Sequence, residues 1–102
     1  MDSAPMTPSQ ITTTVTIVHP QGIHLRVGKD LAFVANHYIA RTTARNITLS
    51  SPPVDLKSIL QIMRLQARTG HVIELTAQGP DAEDAINALE RVFEYPPQER
   101  GK

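Results

Sequence analysis

An unbroken run of β-branched residues near the start of the chain constrains its fold more than any other feature. From Ile11 to Val18 every residue is isoleucine, valine or threonine, the residue types most favoured in β-strands. Because side chains alternate along an extended chain, one face carries Ile11, Thr13, Val15 and Ile17, and the other carries Thr12, Thr14 and Thr16. The run therefore predicts a first strand with one face toward a core.

The spacing of apolar residues changes after a loop that contains Pro20 and Gly22. Apolar side chains then recur three and four positions apart, at Val27, Leu31, Val34, Ala35 and Tyr38. This pattern predicts an amphipathic first helix.

The middle of the chain carries weaker patterns. Asn46 to Leu49 looks extended, and Ser50 to Pro53 is typical of a turn before a short strand from Val54 to Leu56. A second helix is predicted to open at Ser58. Its apolar residues surround almost the whole helical wheel, so some of them must stay exposed: Ile59, Leu60, Ile62, Met63 and Leu65.

The last part of the chain predicts a strand followed by a helix. Gly70 precedes an alternating run from His71 to Ala77, and Gly79-Pro80 begins the helix, with Pro80 at its first position. The side chains expected to face inward are Ala82, Ala85, Ile86, Leu89, Val92 and Phe93. The acidic residues that would complement the positive end of this helix are Asp81, Glu83 and Asp84.

The predicted order is strand, helix, two strands, helix, strand, helix. Strands with polar faces favour an α+β fold, with a four-stranded antiparallel sheet and three helices on one face. A single domain is expected over residues 11–95 because 102 residues suffice for one core. Residues 1–10 and 96–102 are predicted to be a disordered lead-in and a disordered tail.

The composition argues against several classes of function. Ten Lys and Arg balance ten Asp and Glu, and only four residues are Phe or Tyr, which disfavours a nucleic-acid binder. No apolar run is long enough to span a membrane and no secretory signal is recognisable, so a cytoplasmic location is expected. The lack of cysteine excludes disulfides, thiol chemistry and cysteine-ligated zinc.

The segment from Gly22 to Arg26 combines a nucleophile with features that favour an anion. His24 lies just before the first helix, where backbone N–H groups lack intrahelical partners. The positive helix end disfavours an imidazolium and so favours the neutral ring, which can attack phosphorus. Arg26 offers a fork of donors to phosphoryl oxygens. Taken alone, a loop histidine is usually only a solvated polar residue.

Three separated motifs resemble a known family. GIHLR at 22–26, VDLKSIL at 54–60 and GPDAEDAINAL at 79–89, with Gly70 between, resemble HPr, the histidine-containing phosphocarrier family of the phosphoenolpyruvate:sugar phosphotransferase system. The resemblance covers about residues 12–93 and implies an open-faced β-sandwich. It also implies a carrier without independent turnover or cofactor, in which His24 takes a phosphoryl group from enzyme I and passes it to enzyme IIA domains of sugar permeases, with Arg26 as the stabilising residue.

The sequence departs from the family pattern in two places. The family normally has proline after the arginine, followed by small residues, whereas Val27 and Gly28 stand here. This change is expected to loosen the site by about 1 kcal/mol. The stretch from Ile39 to Asn46 also looks longer than the usual connection, so the register of the second strand is left open.

Ser58 is a candidate second site. Its position alone favours an ordinary helix N-cap. The resemblance adds that the matching serine of many family members is phosphorylated by a dedicated HPr kinase, which blocks carriage and permits binding to a transcriptional regulator. The alternative function is a regulatory module of the same fold that acts through protein contacts, which the altered Val27-Gly28 segment favours and which phosphorylation of Ser58 would control.

The surplus apolar residues of the second helix suggest a docking surface. Ile59, Leu60 and Met63 are candidates, and Phe33 lies off the buried stripe of the first helix. The resemblance implies that partners dock on these two helices, although all four side chains could instead pack in the core. The other histidines, His19, His37 and His71, form no ligand motif, so they are expected to be scattered on the surface without a metal.

Overall fold

A computed structural model describes residues 10–94 and contains four strands and three helices. In chain order these are β1 (Gln10–Thr16), α1 (Leu25–Ala35), β2 (Arg41–Asn46), β3 (Val54–Asp55), α2 (Ile59–Met63), β4 (Val72–Gln78) and α3 (Ala82–Val92). The predicted order is confirmed. Predicted disorder at 1–9 and 96–102 lies outside the described residues, whereas Gln10 is the first residue of β1.

The strands form one antiparallel sheet in the order β1, β4, β2, β3. In β4 the side chains of Ile73, Leu75 and Ala77 are fully buried, and the residues between them are partly exposed. The predicted face of β1 is partly buried as expected, since Ile11 and Val15 pack against the core. One covered face and one open face confirm the open-faced α+β sandwich.

The helices bury the residues that their spacing predicts, with one difference at the end of α1. Leu31 and Ala35 are fully buried, whereas Tyr38 is half-buried and lies beyond the helix. In α3 the fully or nearly buried positions are Ala82, Ala85, Ile86 and Leu89, followed by Phe93 just after the helix. The apolar stripes of both helices therefore face the same core.

The second strand differs from its prediction. Asn46–Leu49 was the segment expected to be extended, but β2 ends at Asn46 and the residues after it form a turn with Ser50 at φ 54. The inward-facing residues of β2 are Thr42, Ala44 and Asn46. Because they are polar or small, the sequence shows no alternation of apolar and polar residues along this strand. Buried Asn46 is satisfied by tertiary contacts, because its amide donates to the Leu65 carbonyl at 3.1 Å.

The start of α3 also differs from its prediction. Pro80 does not occupy the first helical position, since Asp81 is the N-cap residue and the helix begins at Ala82. The Asp81 carboxylate makes no cap bond to its own helix and instead accepts the backbone N–H groups of Ile39 at 2.9 Å and Ala40 at 2.8 Å. The Ile39 N–H, assisted by that of Ala40, holds the pKa of the Asp81 carboxyl below its ordinary value.

Other strand ends shift by one or two residues. β1 ends at Thr16 rather than Val18, β3 ends at Asp55, and β4 runs from Val72 to Gln78. None of the helices in residues 10–94 has the length and apolar character needed to cross a membrane.

Candidate active site

His24 caps the N-terminus of α1. Its backbone is extended, with φ −90 and ψ −179, and its Nδ1 atom accepts the backbone N–H of Arg26 at 3.2 Å. Its carbonyl accepts the N–H of Gly28 at 2.9 Å, which closes the first turn. The half-buried ring therefore points one nitrogen at the positive end of the helix.

The cap bond selects one form of the His24 ring. A nitrogen that accepts an N–H must present a lone pair, so in the neutral ring the proton lies on Nε2. A nucleophilic nitrogen is thus directed at backbone donors that have no intrahelical partner.

The loop before α1 is fixed by residues from a distant part of the chain. Gly22 has φ +67, and a Cβ atom there would lie 2.9 Å from the Cα of Arg68 and closer still to the Ala67 carbonyl oxygen. That carbonyl accepts the N–H of buried Ile23 at 3.1 Å. Only glycine fits where the backbone of residue 22 lies this close to Ala67 and Arg68. This contact fixes the position of His24 at the start of α1.

A second imidazole, that of His19, lies beside His24, and this contact was not predicted from the sequence. The ring centroids of His19 and His24 are 4.9 Å apart, with an angle of 65° between their planes. His71 is half-buried, and its Nδ1 accepts the N–H of Arg68 at 3.1 Å and lies 3.0 Å from the Asn46 amide nitrogen. The Pro20 and Gly22 turn was the available signal that residues 19 and 24 could meet.

Arg26 lies in the first turn of α1 with an exposed side chain. Among residues 10–94 its guanidinium forms no hydrogen bond or ion pair, and the first turn of α1 holds no acidic residue. Its charge is therefore not neutralised by a neighbouring carboxylate of the described chain.

The unusual Val27-Gly28 pair is accommodated by packing. Gly28 is buried, and a Cβ atom there would lie 3.1 Å from the Met63 sulfur and 3.6 Å from a methyl group of Ile62. Val27 is half-buried against the core. The helix starts at Leu25 without the family's proline, and the expected loosening stays a prediction.

Ser58 is the N-cap residue of α2. Its hydroxyl accepts the backbone N–H of Gln61 at 3.2 Å, and its carbonyl accepts the N–H of Ile62 at 2.9 Å. The capping interpretation is therefore observed, and phosphorylation of Ser58 stays a prediction.

Three of the four candidate docking residues share one groove. Phe33 is 68% exposed, Leu60 80% and Ile59 36%, and all three line a groove of about 520 Å³ between α1 and α2. Met63 is half-buried and lies instead against Gly28. Lys29 and Lys57 also line this groove, which we call the α1–α2 groove, together with Ala32, Asn36 and Ser58.

Comparison with known proteins identifies the family. The family described as PTS HPr component phosphorylation site matches residues 11–95. The chain is 33% identical to the multiphosphoryl transfer protein of Haemophilus influenzae over 74% of its own length, but this covers 15% of that protein. It is 29% identical to the phosphocarrier protein HPr of Treponema pallidum, covering 82% of this chain and 92% of that one.

The fold agrees with solved structures. The crystal structure of the phosphocarrier protein HPr of Bacillus anthracis matches with a TM-score of 0.76 and 28% identity, covering 84% of this chain and 99% of that one. The chain spans no more than a fifth of the first multiphosphoryl transfer proteins that it matches, at 15% and 20% of their lengths. By sequence and by fold, the chain belongs to the HPr family of the phosphotransferase system.

Proposed function

We propose that this protein is a phosphocarrier in which His24 accepts a phosphoryl group from enzyme I and passes it to enzyme IIA. The observation that carries the proposal is the His24 ring at the start of α1, with Nδ1 directed at the Arg26 N–H. Family membership supports the same chemistry.

The chemical step follows from that geometry. The Nδ1 lone pair forms a bond to phosphorus while the bond between phosphorus and the donor atom breaks, and the donor atom keeps that electron pair. Because the ring proton lies on Nε2, no proton has to leave Nδ1. The transferred oxygens can then accept the unpaired N–H groups of the first turn of α1 in place of the ring nitrogen.

Arg26 supplies the counter-charge. A phosphoryl group adds nearly two negative charges, and the exposed guanidinium is close enough in sequence to offer two parallel donors. The absence of an acidic residue from the first turn of α1 means that no carboxylate repels the group there. Arg26 therefore stabilises the phosphorylated state without being part of the bond that forms.

The α1–α2 groove is the proposed docking surface for both enzyme I and enzyme IIA. Phe33, Ile59 and Leu60 supply its exposed apolar area, and Lys29 and Lys57 supply positive charge beside it. A partner surface with an apolar centre and acidic residues around it would fit this arrangement. Met63 contributes less, because it is half-buried against Gly28.

The test is to incubate the protein with enzyme I and phosphoenolpyruvate and to measure phosphate by mass spectrometry before and after acid treatment. Wild type should carry one acid-labile phosphate, and His24→Ala should carry none. His37→Ala is the matched control, because His37 is an exposed histidine just beyond the other end of α1. An unlabelled wild type, or equal labelling of His24→Ala, would contradict the proposal.

Ser58 supports a second candidate function, regulation through protein contacts. The hydroxyl lies in the α1–α2 groove near Lys29 and Lys57, so a phosphate there would change the surface proposed to meet partners. Incubation with ATP and an HPr kinase should give an acid-stable phosphate that Ser58→Ala lacks. Binding to a transcriptional regulator would follow only for the phosphorylated form.

A further inference from the structure

We propose that His19 is a positioning residue that holds the His24 ring so that Nδ1, and not Nε2, receives the phosphoryl group. This inference rests on the phosphocarrier function proposed above. The observation behind it is the edge-to-face contact of the two imidazoles, with centroids 4.9 Å apart and planes at 65°. Such contacts favour one relative orientation of two rings.

His19 is itself held in place by hydrogen bonds. Its Nδ1 accepts the backbone N–H of Gln21 at 3.1 Å, and its carbonyl accepts the N–H of Gly22 at 2.9 Å and the hydroxyl of Thr69 at 2.7 Å. These bonds tie both the ring and the backbone of His19 to the loop that precedes α1. Because the two bonds to the His19 carbonyl fix the backbone at this position, a flat side-chain ring here lies against His24 and restricts its rotation.

The orientation of the His24 ring matters because its two sides are chemically different. Rotation of the ring by half a turn exchanges Nδ1 with the carbon Cδ2, so a C–H group would face the Arg26 N–H in place of a lone pair. In the observed orientation that N–H is accepted at 3.2 Å. This bond is long for its type and is the one hydrogen bond that the ring makes within residues 10–94, so the His19 contact supplies a second restraint.

The consequence concerns which nitrogen carries the group. A phosphoryl group on Nδ1 lies beside the unpaired N–H groups of α1, whereas one on Nε2 lies on the opposite edge of the ring, away from them. In either case the attacking nitrogen gives its lone pair to phosphorus and the donor atom leaves with the old bonding pair. A freely rotating ring would lose the amide contacts for part of the time and would accept phosphate more slowly.

The full-length protein and two variants separate the ring contact from the hydrogen bond. His19→Phe keeps a flat ring and loses the bond from Gln21, whereas His19→Ala loses both. We expect ¹⁵N NMR to show His24 Nδ1 as an unprotonated acceptor in wild type and in His19→Phe, and to show both tautomers in His19→Ala. This measurement needs no phosphoryl donor, so it is independent of the proposed function.

The second measurement is the position of the phosphate. After reaction with phosphoramidate or with enzyme I and phosphoenolpyruvate, NMR should find phosphate on Nδ1 in wild type and His19→Phe. In His19→Ala a share should move to Nε2, and acceptance should slow about three- to tenfold. Unchanged His24 signals and isomer in His19→Ala, or a His19→Phe that behaves like His19→Ala, would overturn the inference. Failure with enzyme I alone would instead count against the phosphocarrier function.

Discussion

The starts of α1 and α2 use the same device with different chemical groups. His24 Nδ1 and Ser58 Oγ each accept a backbone N–H of their own helix at 3.2 Å. Both residues therefore cap a helix start, and the chemistry of the capping atom is what differs between them. The difference is that a neutral imidazole already holds a nucleophilic lone pair, whereas a hydroxyl needs a base to remove its proton. We infer that α1 can take a phosphoryl group from a donor unaided, and that Ser58 needs a kinase.

Replacing His24 by serine should have the largest effect, because it gives α1 the same capping group as α2. Serine is a good N-cap, so His24→Ser should leave the free energy of unfolding unchanged or raise it by up to about 1 kcal/mol. Loss of the nucleophile should lower acid-labile phosphorylation by at least about 1000-fold. Denaturant unfolding and the enzyme I assay measure the two effects. Retained carriage would show that the nucleophile lies elsewhere.

Gly22→Ala tests whether the start of α1 depends on the distant loop that supports it. The positive φ and the backbone of Ala67 and Arg68 leave no room for a methyl group, so we expect unfolding to become easier by about 2–3 kcal/mol. Gly28→Ala is the control, since its new methyl group would be close only to the flexible end of Met63 and in ordinary contact with Ile62, and alanine is favoured in helices by about 1 kcal/mol. Equal losses in both variants would contradict this account of the loop.

Ser58→Ala should show the smaller role of the second cap. Loss of the bond to the Gln61 N–H should lower the free energy of unfolding by about 1 kcal/mol, as measured by denaturant titration. Acid-labile phosphorylation at His24 should not change. A Ser58→Ala protein that no longer accepts phosphate would mean that the two helix starts are coupled.

The start of α3 differs from the starts of α1 and α2, and the effect expected there is the smallest. Its N-cap residue, Asp81, accepts hydrogen bonds from the loop before β2 and none from its own helix. The pKa of Asp81 is lowered in the folded protein, so its contribution to stability is full above the ordinary pKa of an aspartate. It is lost as the pH falls through the folded pKa. Asp81→Asn should therefore flatten the dependence of stability on pH in the acidic range. An unchanged dependence would show that another carboxyl is responsible.

The parts of the fold that follow local patterns could be predicted from the sequence. The β-branched run of β1 and the apolar stripe of α3 each bury the expected face, because each element packs its apolar side against the same core. β2 could not be predicted, since Thr42, Ala44 and Asn46 are buried through contacts with distant residues such as Leu65. No local pattern reveals such contacts.

In the candidate site, too, some features could be predicted from the sequence and others could not. A histidine beside an arginine at a helix start is visible in the sequence, and the structure places both residues there. The contact between His19 and His24 depends on the path of a loop, and the role of Asp81 depends on where the Ile39 amide lies. Both are tertiary facts that spacing along the chain does not encode.

The hydrogen bond from the Ile23 N–H to the Ala67 carbonyl makes the loop before α1 depend on a residue that is synthesised much later. When synthesis has reached only the end of α2, His19, His24 and Arg26 are already part of the chain. Ala67 and Arg68, which pack behind their loop, are not yet available. Reactivity is therefore expected to arise late in synthesis, once the polypeptide beyond Met63 has emerged.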